Sequence, residues 1–164
     1  MSNTLAVLGG TPAINAKSES SYPRFTDEAI RRVTELLRSG TTVGLNKQCA
    51  EIDEAEAAIA EWQGVRHCLG TSSGHGALHS ALIGLEVTSG DEVITTPYTW
   101  GASTSCILHN NAIPIFADVD PTTGLLEPDT IEEKITAKTK AILVVHLFGQ
   151  PANMTRICEI AKKH

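Results

Sequence analysis

Long apolar runs are missing from this 164-residue chain. No stretch approaches the roughly 18 consecutive apolar residues a membrane-crossing helix needs, so none is expected. The N-terminus lacks a charged-then-apolar pattern, and no secretory leader is expected. Basic charge is also scarce: 13 Lys and Arg against 19 Asp and Glu give a net charge of −6. No basic stripe marks a nucleic-acid partner. The four cysteines, Cys49, Cys68, Cys106 and Cys158, are widely spaced and form no C-x-x-C pair. That argues against structural zinc and against a disulfide framework, and for reduced, mostly buried thiols in a cytoplasmic protein. There is neither a Walker loop nor a G-x-G-x-x-G fingerprint, so ATP and NAD are not indicated. Internal repeats and low-complexity segments are absent as well.

The remaining composition, 41% apolar and 20% charged, is that of an ordinary globular protein with a core. Residues 1–25 show little periodicity and read as an irregular N-terminal arm lying on something else. Thr26 caps a helix in which Ile30, Val33 and Leu37 share a face, and Gly40 stops it. A polar loop with Gly44 and Asn46 follows over 41–49. A second helix over about 51–63 carries Ile52, Ala55, Ile59 and Trp62 on its apolar face, with its acidic residues on a solvated one.

From residue 65 strands and helices alternate. Strands are expected at 65–69, 92–96, 113–117 and 141–145; helices run to about Leu85, over 102–109, from Pro128, and after Asn153 with Met154, Ile157, Cys158 and Ala161 inward. This alternation marks an α/β domain with a mostly parallel sheet flanked by helices. In such sheets ligands lie at the carboxyl ends of the strands. The loops at Ser73-Gly74, at Thr99-Trp100 and over His146–Gln150 all leave such ends.

The stretch Gly70-Thr71-Ser72-Ser73-Gly74-His75-Gly76 passes into a helix. Its small residues let a ligand approach the backbone, and a new helix start offers free N–H groups and a positive dipole end to an anion. A plain strand-to-helix junction has the same composition. Trp100, just past a strand end, is either a core tryptophan or a surface for a flat heteroaromatic ring. His75 and His79 stand at i, i+4, a spacing that can chelate a metal, but no third ligand is evident and no metal site is assigned. Asp118 and Asp120 are explained by a turn before Pro121. His146 either orients a ligand or is a satisfied core histidine.

Taken together, several short segments resemble the DegT/DnrJ/StrS sugar aminotransferases, pyridoxal 5'-phosphate (PLP) enzymes of fold type I. They are Leu8-Gly9-Gly10-Thr11-Pro12, Leu37-Arg38-Ser39-Gly40, Ser73-Gly74 leading into Ala77-Leu78-His79, Gly90-Asp91-Glu92-Val93-Ile94 and Pro97-Tyr98-Thr99-Trp100. The series continues through Asp118-Val119-Asp120-Pro121-Thr122-Thr123-Gly124, residues 135–142, and Val145-His146-Leu147-Phe148-Gly149-Gln150-Pro151-Ala152. Each is weak alone; their order and spacing are specific. The resemblance implies that Ser73, Gly74 and His75 hold the PLP phosphate through backbone N–H groups and that Trp100 stacks on the pyridine ring. His75 stands where the family usually has threonine, so a hydroxyl contact is lost while backbone donation survives.

The same resemblance implies an N-terminal fragment. Residues 26–164 would be the incomplete first part of the PLP-binding large domain. No catalytic residue is assigned within the chain, because the Schiff-base lysine and the aspartate for the pyridinium nitrogen are expected downstream of His164. The implied reaction moves an amino group from glutamate or glutamine to a keto-sugar or keto-cyclitol, in a homodimer. Rival expectations are a PLP-dependent sugar dehydratase, a non-catalytic regulatory homologue, and, outside the family, a flavodoxin-like phosphate-binding domain.

Overall fold

The computed structural model describes residues 4–13, 22–40 and 49–164. The chain forms two compact units, Met1–Asp53 and Glu54–His164. Residues 41–48 of the expected polar loop, and residues 1–3 and 14–21 of the expected arm, lie outside the described residues.

In the first unit a single 3-10 turn, Ala6–Leu8, closes on Gly9. Helix α1 (Asp27–Ser39) begins where the Thr26 hydroxyl accepts the Ala29 N–H at 3.1 Å. Asp27 and Glu28 face the positive dipole end, and Arg31 pairs with both Glu28 and Glu35. Gly40, at φ 67, takes the left-handed conformation that ends the helix. The apolar face is as expected in spacing but not in burial, since Ile30, Val33 and Leu37 are all exposed. Helix α2 (Ala50–Gln63) likewise buries only Ala60, and Trp62 is 81% exposed.

The second unit is a three-layer α/β arrangement. Strand β1 (Glu92–Thr95) is central, with β2 (Ile113–Phe116) on one side and β3 (Thr139–Ile142) on the other, all parallel. Successive side chains of a strand point to opposite faces, and β1 uses both. Val93 packs with Leu82, Val87, Cys106, Ile107 and Ala112, under helices α3 (Gly74–Gly84) and α4 (Ala102–His109). Ile94 packs with Leu126, Ile131, Ala152, Ile157 and Ile160, under α5 (Pro128–Glu132) and α6 (Met154–Lys163). Both crossovers thus supply the double cover that parallel sheets require. The expected caps recur: Pro128 opens α5, and the Asn153 carboxamide accepts the Arg156 N–H at 3.2 Å.

Three expectations change. Residues 65–69 form no strand: Arg66 is a bend, the Val65 N–H turns back to Ala60 O at 3.0 Å, and among the described residues the three strands pair only with one another. The nearby Gly70 N–H instead meets the Glu56 carboxylate at 2.6 Å. The third strand begins at Thr139 and stops at Ile142, not 141–145, because β1 is only four residues long. Past it, the Leu143 N–H still reaches Ile94 O at 2.8 Å and its carbonyl accepts the Thr95 hydroxyl at 3.0 Å. In α6 the inward stripe is Ile157 and Ile160; Met154, Cys158 and Ala161 are exposed. The thiols therefore divide: Cys49 and Cys106 are buried, Cys68 is half-buried and Cys158 is exposed. No helix among the described residues is long and apolar enough to cross a membrane.

The end of α6 is fastened by charge. Glu132 meets Lys163 at 2.5 Å, His164 at 3.1 Å and Arg156 at 3.6 Å. Hydrogen bonds from Lys163, and then from His164, hold its carboxyl down at about 2 from an ordinary 4.5. A depressed carboxyl stabilises the fold above its unfolded-state value and loses that contribution as it protonates. Unfolding midpoints should therefore fall as pH drops from 4.5 toward about 2. Glu132→Gln is expected to flatten this limb in a thermal-melt pH series; an unchanged limb would mean that other carboxylates carry it.

Candidate cofactor site

The start of α3 is set by Ser73. Its extended backbone, φ −167 and ψ 161, lets the side chain turn back over the first helical turn. Its hydroxyl accepts the Gly76 N–H at 3.0 Å, and its carbonyl accepts the Ala77 N–H at 3.0 Å. Of the leading amides, those of Gly74 and His75 find no acceptor among the described residues. They are the first two positions of the helix, where no intrahelical acceptor exists. A Cβ on Gly74 would meet nothing within 4 Å, so open space stands over this residue. Two N–H groups without an acceptor among the described residues, small side chains and a positive dipole end thus meet at one helix start.

Trp100 enters from β1. Thr96 Oγ accepts the Tyr98 N–H at 3.1 Å, turning the chain after the strand. Trp100 O then accepts the Ser103 N–H at 3.1 Å as α4 begins. The indole is 85% exposed, so it is not a core tryptophan. Trp100 and His75 together line an open cleft of about 510 Å³, completed by Gly101, Ala102 and Ser105. The cleft offers a flat aromatic face beside a helix start, and no lysine is among its described lining residues.

The other candidates fall elsewhere. His146 Nδ1 accepts the Ala152 N–H at 3.1 Å and so holds the turn between β3 and α6. Asp120 Oδ1 accepts the N–H groups of Thr122 and Thr123 at 2.9 and 2.7 Å. Those bonds, Thr123 foremost, lower its carboxyl from the ordinary value. Its neighbour in the turn, Gly124, has φ +71, and a Cβ there would lie 3.1 Å from the Tyr98 ring and 3.6 Å from Leu147. The turn after β2 thus braces the loops after β1 and β3. Phe148, at φ 52 and 90% exposed, projects from the β3 loop on a strained backbone. Sequence reasoning passed over Ser105 and His109, which contact His75 from α4. Their separation of 30 and 34 residues leaves no local pattern that would flag them.

A parallel sheet with helices on both faces, an anion-ready helix start and an exposed aromatic at the carboxyl ends of its strands define a cofactor-binding α/β protein. Residues 23–164 match the DegT/DnrJ/EryC1/StrS aminotransferase family, and the chain belongs to it. It is 40% identical over 167 residues to the L-glutamine:2-deoxy-scyllo-inosose aminotransferase of Streptomyces kanamyceticus, covering 99% of this chain and 39% of that one. Among solved structures it is similar to the aminotransferase from Psychrobacter cryohalolentis: TM-score 0.81, 37% identity, 88% of this chain and 36% of that one. It is also similar to NtdA from Bacillus subtilis with bound cofactor PMP: TM-score 0.75, 34% identity, 82% of this chain and 30% of that one. The chain spans about two-fifths of the length of the curated relatives it matches.

Proposed function

We propose that this chain forms the phosphate-and-ring side of a PLP site in an enzyme that transfers an amino group from glutamine to a keto-cyclitol. The observation that carries the reading is the Gly74 and His75 amides, without an acceptor among the described residues, at a helix start whose His75 shares a cleft with exposed Trp100. The donor set fits PLP. Two backbone N–H groups and the dipole end suit a phosphate dianion, the Ser73 hydroxyl proton remains available, and the indole offers a face to a pyridine ring. When bound, PLP supplies an electron sink that lets an amino group move between carbon skeletons. Ser73, by capping Gly76, keeps the Gly74 and His75 amides pointed at the phosphate. Trp100 orients the ring and covers one of its faces against water. Among the described residues that line the cleft none is a lysine, and the role proposed for them is to bind and orient. Glutamine and a cyclitol ketone are chosen because the S. kanamyceticus relative is named for that pair. Residues 1–25 act as an arm on a second subunit of a homodimer, which the mass of the native species tests.

In the holoenzyme, L-glutamine should convert bound PLP to PMP, read as loss of the visible cofactor absorbance. Adding 2-deoxy-scyllo-inosose should restore it. An absorbance that glutamine leaves unmoved while another amino donor bleaches it would overturn the donor assignment.

A further inference from the structure

Beside the phosphate turn lies a group of histidines that backbone binding of an anion does not require. His75 Nε2 is 3.0 Å from His109 Nδ1, and His75 Nδ1 is 3.3 Å from Ser105 Oγ, so the imidazole is held at both nitrogens. The His75 and His109 rings meet edge to face with centroids 5.0 Å apart; His79, one turn along α3, stands 6.1 Å from His109. Helices α3 and α4 contain no Asp, Glu, Lys or Arg. Their other titratable group, Cys106, is fully buried in the core, with its thiol bonded to Ser103 O at 3.3 Å. Of the strands under α4, β1 brings only Glu92, bonded to Thr136, and β2 brings no charge. Among the described residues of these four elements, histidine is thus the only source of positive charge for the start of α3.

Proton counting limits what the pair can do. Neutral imidazole carries one N–H, so one of the two facing nitrogens donates across the 3.0 Å bridge and the other accepts. One added proton goes to an outer nitrogen and leaves the bridge intact. A further proton would place hydrogens on both facing nitrogens and break it. Ser105 serves either form of His75. Its hydroxyl donates to Nδ1, or accepts from Nδ1–H while turning toward Ala102 O at 3.5 Å.

His109 is the last residue of α4 and His75 the second residue of α3, so an anion seated at the α3 start would lie at the same end of that helix as the His75 imidazole. We infer that His75 and His109 form a one-proton counter-charge for the phosphate at the α3 start, so that the dianion binds with uptake of one proton. The inference rests on the phosphate reading proposed above. It makes His109 a positioning residue, acting through His75, and Ser105 the anchor of that imidazole.

Sulfate is the probe, because its charge is constant across the histidine range of about pH 5 to 8. Binding to the full chain is read from the NMR shifts of the Gly74 and His75 amides. Sulfate should bind about tenfold tighter at the acid end than at the basic end. The double variant His75→Gln/His109→Gln keeps hydrogen-bonding side chains at both positions but accepts no proton there. It should remove the pH dependence and leave affinity near the basic-end value, whereas His67→Gln, outside the group, should leave the slope intact. Sulfate shifting the two amides with the same affinity at every pH, or a slope surviving in the double variant His75→Gln/His109→Gln, would overturn the pair and leave the phosphate reading standing. No shift of those amides at any pH would overturn both.

Discussion

Gly74→Asp is expected to lose PMP affinity by roughly a hundredfold or more while the fold becomes no less stable. The two effects have one cause. A Cβ at this position meets nothing within 4 Å, so a side chain fits without a clash, and it would stand at the helix start where the Gly74 and His75 amides find no acceptor among the described residues. A carboxylate in the first helical turn is favourable for the helix itself, by about 0.3–1 kcal/mol. It also occupies the anion's place and repels a second negative charge, which costs several kcal/mol when the charges are juxtaposed. Calorimetric titration with PMP and a thermal melt on the same sample separate the two. Lost affinity with a lowered melting temperature would indicate a damaged fold instead of a filled phosphate site.

Ile131→Ala should destabilise the second unit by about 2–5 kcal/mol, enough to consume much of a small domain's stability. Ile131 is fully buried and belongs to the cluster formed by Ile94, Leu126, Ala152, Ile157 and Ile160. Helix α5 has only five residues, Pro128–Glu132, of which Pro128 and Ile131 are buried, so its hold on the sheet rests on those two. The lost contacts join α5 and α6 on the face of the sheet opposite α3 and α4. Urea unfolding with an unchanged slope and a lowered midpoint is the expected signature. A loss below 1 kcal/mol would mean that the site collapses around the missing atoms.

Features fixed by neighbouring residues were legible in the sequence. The caps at Thr26 and Asn153, the proline start of α5 and the stop at Gly40 need only adjacent chemistry, and all four recur in the structure. The alternation of strands and helices carried the parallel sheet because crossover connections have few alternatives. Features set by distant partners were not legible. Residues 65–69 have a strand's composition but no strand beside them. The frame of β3 follows the length of β1, and the inward stripe of α6 follows the cluster it meets. At the site, Ser73-Gly74 announced a helix start and Trp100 announced an aromatic at a strand end. His109 and Ser105 became neighbours of His75 only once α4 had packed on α3.

In the proposed site the Ser73–His75 turn and Trp100 together hold the phosphate and ring of the cofactor. PMP tests this directly, since it carries both groups and has no aldehyde to react with surface lysines. Titrated into the isotopically labelled chain, PMP should shift the Gly74 and His75 amides and the Trp100 indole N–H along one saturating curve. Trp100→Ala should weaken the binding about tenfold while the two amides still shift. Saturable binding that moves neither amide, or that is indifferent to Trp100→Ala, would contradict the claim.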